Sequence, residues 1–141
     1  MIMSKYANAT WQGGKDGKGT VSTETKALDK APFTFATRFG DDKGGTNPEE
    51  LIAAAHASCF SMKLSIILME AGFPADNIDT KSEISFDKGM ISQSHLTLTA
   101  TVPGISEEEF MKHAQDAKEN CPVSKSLNSS VEITMDATLV K

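Results

Sequence analysis

Short runs of alternating polar and apolar residues are broken in this chain by one long apolar stretch and one charged helical stretch. Alternation predicts strands over Tyr6 to Trp11, Thr20 to Thr25 and Phe33 to Phe39, with Phe33, Phe35, Thr37 and Phe39 on one side of the third. Gly13, Gly14, Asp16, Gly17 and Gly19 form the turn between the first two. Further strands are expected over Ile78 to Phe86 and His95 to Val102, joined by a turn at Lys88 and Gly89. A last strand covers Val131 to Val140. Ser106, with Glu109 three residues on, caps a charged helix running to about Glu119. Cys121 and Pro122 end it and start a short helix through Leu127.

The long stretch lies within Lys43 to Glu70. Asn47 is placed to cap a helix, Pro48 suits its first position, and Glu50 completes a capping-box pattern. Leu51, Ala55, Cys59, Met62, Ile66 and Met69 recur at spacings of three and four, which predicts one face. Alanines and a serine near the middle keep that face slim enough for close approach of another backbone. Gly72, followed by Pro74, ends the helix.

Three strands, a helix, two strands, a helix pair and a strand make an α+β order in one domain spanning residues 1–141. Antiparallel sheets around a long central helix are the expected architecture. That helix is apolar over most of its circumference, with Leu51, Ile52, Leu64, Ile66, Ile67 and Leu68 spread beyond one stripe. Such a helix must be covered nearly all round. Two small sheets from one chain are hard pressed to do so, and a homodimer packing two such helices together would.

Composition narrows the function classes. The chain has 141 residues, 39% hydrophobic and 23% charged, as in an ordinary globular domain. A net charge of -5 argues against nucleic acid or an anionic membrane as the main partner. The N-terminal MIMSKYANATW carries no signal-peptide pattern, and no apolar run reaches the length expected of a membrane span, so the expected location is the cytoplasm. In a reducing compartment the two cysteines are core residues or a redox pair, and two thiols are too few for a structural zinc site.

Cys59, mid-helix, reads either as a small buried hydrophobe or as a positioned thiol. A reactive thiol needs its thiolate stabilised, and a mid-helix position gains little from the dipole, so a cation must come from elsewhere. Arg38 is the only arginine in the chain. It stands as that cation or as a solvated surface charge. Glu49 is free to pair with it, and both Glu49 and Glu50 also suit a first helical turn for the dipole alone. Glu49 and Cys59 are about 15 Å apart along a continuous helix and do not touch within it. Cys121, as cap of the short helix, would gain from free backbone N–H groups and on that ground is at least as good a thiolate as Cys59. His56, one turn before Cys59, reads as a helix-face histidine satisfied by a neighbour, with too few partners for a metal site. His95 and His113 carry no partner pattern.

The run GTNPEELIAAAHASCFSM, the later NCPVSKSL and the upstream TRF resemble the OsmC/Ohr family of thiol-dependent hydroperoxide peroxidases, most closely its osmotically inducible branch. GKGTVSTET and VPGIS extend the resemblance over essentially the whole chain. It implies an intertwined α+β homodimer of OsmC-like fold, with active sites at the subunit interface. It implies Cys59 as the peroxidatic cysteine, Cys121 as the resolving cysteine, and Arg38 with Glu49 as the activating pair. The implied activity is reduction of organic hydroperoxides, and more weakly of hydrogen peroxide. A Cys59 sulfenate would be resolved by Cys121 as an intramolecular disulfide, and a dithiol or small-thiol reductant would reset it. No cofactor or metal is implied. Phe39, Phe60, Met62 and Met69 are candidates for an apolar lining or for core. The competing readings are a redox sensor and a non-catalytic binding protein on the same fold.

Overall fold

The computed structural model describes residues 2–141, which divide into two compact units at the boundary between Leu51 and Ile52.

The N-terminal unit is built on an antiparallel sheet in the order β1 (Ala7–Gln12), β2 (Lys18–Thr23), β3 (Ala31–Phe33). Gly19 in the middle strand pairs with Trp11 on one side and Phe33 on the other. A side chain there has no room: a Cβ would lie 2.7 Å from the Phe33 ring and 2.6 Å from the Thr10 carbonyl oxygen. The bare backbone lets the Trp11 and Phe33 rings meet with centroids 5.4 Å apart.

The strand expected over Phe33 to Phe39 stops at Phe33, and α1 (Phe35–Phe39) follows. The reason is local. Thr34 and Thr37 form a reciprocal capping box, each hydroxyl accepting from the other's backbone N–H at 2.8 and 3.1 Å. Phenylalanines at 35 and 39, read as strand alternation, are also one helical turn apart, and their rings lie 6.0 Å apart. Arg38 is therefore a helix residue. Thr37 also donates to the Thr46 carbonyl at 2.8 Å, and Asn47 Nδ2 donates to the Thr37 carbonyl at 3.1 Å. These bonds tie α1 to the loop that opens α2 (Pro48–Glu70).

Asn47 caps α2 as expected, its Oδ1 accepting from the Glu50 N–H at 2.7 Å. The Glu50 carboxylate accepts from the Thr46 hydroxyl at 2.8 Å. At 23 residues and a mean hydropathy of 1.7, α2 meets the length and composition of a membrane span, against the expectation that no apolar run reaches it. Core helices of folded domains meet the same criterion, and α2 carries buried residues packed in such a core.

The C-terminal unit holds α2 from Ile52 on, a sheet in the order β4 (Asn77–Asp87), β5 (Met90–Thr101), β6 (Glu132–Leu139), and the helices α3 (Glu107–Asn120) and α4 (Pro122–Leu127). Lys88 and Gly89, both at positive φ, make the tight β4–β5 turn. β4 and β5 are antiparallel, but β5 and β6 are parallel, which corrects the expectation of purely antiparallel sheets. The crossover through α3 and α4 returns the chain to the end where β5 began, as a parallel neighbour requires. Ser106 caps α3 as expected, accepting from the Glu109 N–H at 3.2 Å.

The stripe of α2 that packs in this core is His56, Phe60, Leu64 and Leu68, not the stripe expected from Leu51 to Met69. Met62, Ile66 and Met69 are 67%, 46% and 58% exposed. Periodicity misleads here because α2 is apolar on most sides, so spacing alone marks no preferred face. Opposite the buried stripe stand Leu96, Leu98 and Ala100 of β5, Phe110 and Ala117 of α3, and Leu139 of β6.

Candidate active site

The charged pair belongs to the N-terminal unit. Arg38 Nε donates to Glu49 Oε1 at 3.0 Å and its terminal nitrogen to Oε2 at 2.8 Å, a two-armed fork. The Thr34 cap sets α1, the Asn47 cap sets the first turn of α2, and the two turns present the guanidinium and carboxylate to each other. The Glu49 carboxyl is held below its ordinary range chiefly by the Arg38 hydrogen bond, and Arg38 is raised by the same bond. The Arg38 guanidinium also lies 4.8 Å from the centre of the Phe39 ring. In this unit a cavity of about 310 Å³ is lined by Trp11, Phe33, Thr34, Phe35, Arg38 and Pro48. One cation in an otherwise largely aromatic lining suits a ligand with an apolar body and a polar end.

The two thiols belong to the C-terminal unit, and the fold brings them together: Cys59 on α2 packs against the core cluster that holds Cys121, close enough for the two thiols to influence each other's titration. Both are free. Cys121 is fully buried at the junction of two helices. Its N–H donates to the Ala117 carbonyl at 2.9 Å, closing α3, and its carbonyl accepts from the Lys125 N–H at 3.0 Å, opening α4. Pro122 follows at the first helical position, where its missing N–H costs nothing.

The Cys121 side chain makes no capping hydrogen bond. The backbone of Val123, in the first turn of α4, instead favours the Cys59 thiolate. The helix-end assistance expected for Cys121 thus goes to the other thiol. Cys59 nevertheless sits above its ordinary pKa: burial pushes it up, as does the neighbouring Cys121 thiol, against the Val123 backbone and the Lys63 ammonium, which pull it down. Lys63 and Val123 escaped the sequence reading. Lys63 was legible, since it stands one helical turn beyond Cys59. Val123 was not, because a backbone donor across helices leaves no mark in the side-chain pattern.

His56 is fully buried and satisfied at both nitrogens, Nδ1 to the Ser94 hydroxyl at 2.6 Å and Nε2 to the Ser124 hydroxyl at 2.8 Å. Burial holds it below its ordinary pKa, as the neutral ring. His95, given no role from sequence, contacts Thr134 Oγ1 at 2.6 Å and Asp136 at 3.0 Å. Of the apolar lining candidates, Phe60 is fully buried core, while Phe39, Met62 and Met69 are exposed. Among the described residues no three His, Cys, Asp or Glu side chains gather as metal ligands.

The family described as OsmC-like protein matches residues 40–136. Over 99% of each sequence, the chain is 49% identical to Peroxiredoxin OsmC of Escherichia coli (strain K12). It is 32% identical to the organic hydroperoxide resistance protein of Xanthomonas campestris pv. phaseoli, over 92% of this chain and 91% of the relative. Among solved structures, an OsmC-like protein from Mycoplasma pneumoniae aligns over 100% of both chains with a TM-score of 0.78 at 16% identity. An organic hydroperoxide resistance protein OsmC from Legionella pneumophila aligns over 98% of both with a TM-score of 0.74 at 24% identity. At those identities the structural likeness speaks for the fold.

Proposed function

The chain belongs to the OsmC family, and on that premise we propose that it is a cysteine-based peroxidase reducing organic hydroperoxides to alcohols. Its relatives named Peroxiredoxin OsmC and organic hydroperoxide resistance protein support the activity and the substrate class. The observation that carries the assignment to residues is the proximity of Cys59 and Cys121, two thiols far apart in sequence that meet in one core. Cys59 is the attacking thiol on the family resemblance, and it is the more accessible of the two, partly exposed where Cys121 is buried.

The Cys59 thiolate attacks one peroxide oxygen. An S–O bond forms as the O–O bond breaks, the sulfur gives up two electrons, and the departing alkoxide takes a proton to leave as the alcohol. The Cys121 thiolate then attacks the Cys59 sulfenic sulfur, an S–S bond forms, and hydroxide leaves as water once protonated. A dithiol or small-thiol reductant returns two electrons and two protons to restore both thiols.

Arg38, fixed by Glu49, serves the first step by favouring the Cys59 thiolate and holding the peroxide oxygens, whether supplied by the same chain or by a second copy. Without it the Cys59 thiol is poorly activated, since its own surroundings raise its pKa. The aromatic cavity beside Arg38 supports a preference for peroxides with an apolar body. Residues 1–141 act as a single domain within a homodimer located in the cytoplasm. The exposed α2 stripe of Met62, Ile66 and Met69 supports the dimer as the surface a second copy covers.

The test is anaerobic thiol counting after one equivalent of an organic hydroperoxide, on the wild type and on Cys59→Ser. Loss of both thiols within seconds in the wild type, with Cys121 untouched in the variant, is the expected result. Two thiols still free after minutes would leave a binding protein on this fold. Ready oxidation of Cys121 in Cys59→Ser would reverse the two roles.

A further inference from the structure

The buried stripe of α2 is apolar at Phe60, Leu64 and Leu68 and carries a histidine at its first position, His56. A polar side chain in that place costs stability unless every nitrogen is paired. Both are, and to different elements: Ser94 belongs to β5 and Ser124 to α4. Ser94 in turn meets the Ser82 hydroxyl of β4 at 2.9 Å. A chain of hydroxyl and imidazole bonds therefore runs from the sheet, through α2, into α4.

α4 needs such a tether. It has 6 residues, too few to be stable alone, and no side-chain N-cap. Ser124 is its buried residue. The residues packed with Cys59 at this end of α4 lie within one turn of Ser124: Val123, the residue before it, whose backbone favours the Cys59 thiolate, and Cys121 at the cap, three residues before it. Whatever sets the seat of Ser124 sets both.

We propose that His56 is a positioning residue for disulfide formation: by holding the Ser124 hydroxyl it pins the first turn of α4 on α2 and keeps the Cys121 thiol within reach of Cys59. This rests on the Cys59–Cys121 pairing of the proposed function, and it is testable without any peroxide. In a glutathione redox buffer, one oxidised glutathione takes two electrons and two protons from the Cys59 and Cys121 thiols, giving the protein disulfide and two reduced glutathiones. The midpoint of that equilibrium reads how well the two thiols are held together.

The experiment compares Ser124→Ala, Ser94→Ala and Ser124→Thr by that midpoint, with denaturant unfolding alongside. Each alanine variant removes one hydroxyl from the same imidazole. Ser124→Ala is expected to lower the disulfide equilibrium constant roughly tenfold, about the worth of one hydrogen bond. Ser94→Ala is expected to change it much less at similar loss of stability, and Ser124→Thr to restore it. With peroxide, Ser124→Ala should also lengthen the life of a trappable Cys59 sulfenate relative to its rate of formation. Equal effects of the two alanine variants on the disulfide midpoint, or none from Ser124→Ala, would overturn the proposal. Should Ser124→Ala not fold, the isosteric pair Ser124→Thr and Ser124→Val makes the same comparison. A wild type inert to peroxide but forming the disulfide in glutathione would end the peroxidase reading and leave this one standing.

Discussion

Arg38 holds Glu49 by two parallel hydrogen bonds, 3.0 and 2.8 Å, joining the last turn of α1 to the first turn of α2. Lysine cannot reproduce a planar fork. Arg38→Lys should therefore behave as a loss, lowering the second-order rate with an organic hydroperoxide roughly 100-fold, the scale of removing one transition-state donor. Stopped-flow oxidation of Cys59 measures it. A rate within a factor of about two of wild type would argue that charge alone suffices.

The same pair has a signature in acid. Glu49 is held below the ordinary carboxylate range, so its contribution to stability is complete above the unfolded glutamate value of about 4.3. It is lost as the pH falls through the lower folded value. Glu49→Gln should flatten that part of the stability–pH curve, measured as the urea midpoint, and leave the neutral range little changed in slope.

Cys59 offers a second titration. Its immediate surroundings raise its pKa, burial first. Alkylation of Cys59 in a Cys121→Ser background should therefore show a midpoint above the ordinary thiol value of about 8.5 once Arg38 is replaced by Gln. With Arg38 present the midpoint should be lower. Identical profiles would remove Arg38 as the activating cation.

Gly19 is where the aromatic wall depends on a missing atom. A Cβ there meets the Phe33 ring and the Thr10 carbonyl oxygen at under 3 Å, so Gly19→Ala should cost about 1–3 kcal/mol and displace the rings that line the Arg38 cavity. Denaturant unfolding reads the first effect and Trp11 fluorescence the second.

Cys121→Ser should leave the first oxidation of Cys59 intact but unprotected. Excess hydroperoxide would then carry Cys59 past the sulfenate to the sulfinic acid, visible by mass as two added oxygens, where the wild type stops at the disulfide. Recovery by a dithiol would separate the two outcomes, since only the disulfide returns.

On the outer face of α2, Ile66→Glu should disrupt a dimer held through Met62, Ile66 and Met69. Sedimentation measures it, with the wild type expected as a dimer and the variant shifted towards monomer. A monomeric wild type would contradict the proposed assembly.

The extent of α2, its Asn47 cap, the Ser106 cap of α3, the break at Cys121 and Pro122 and the turn at Lys88 and Gly89 were all legible from sequence. Each rests on bonds or dihedrals within a few residues, so the local residue types are sufficient. The short helix at Phe35 was also a local matter, decided by Thr34 and Thr37, but two phenylalanines spaced by four imitate a strand as well as a turn of helix. The resemblance carried the choice of Cys59, Cys121, Arg38 and Glu49, which spacing alone left open.

Other features needed the tertiary structure. Which side of an almost uniformly apolar helix is buried depends on what packs against it, and Phe60 and Leu64 were chosen over Met62 and Ile66 by β5 and α3. That β6 runs parallel to β5 follows from where the α3–α4 crossover delivers the chain. Whether the free N–H groups of α4 serve Cys121 or Cys59 is a question of where that short helix is seated. The seat is made by Ser124 and His56, 68 residues apart. Sequence settled what each segment is, because helix caps, turns and strand alternation are short-range. Folding alone decided which buried faces and donors meet, because those contacts join residues that no local pattern connects.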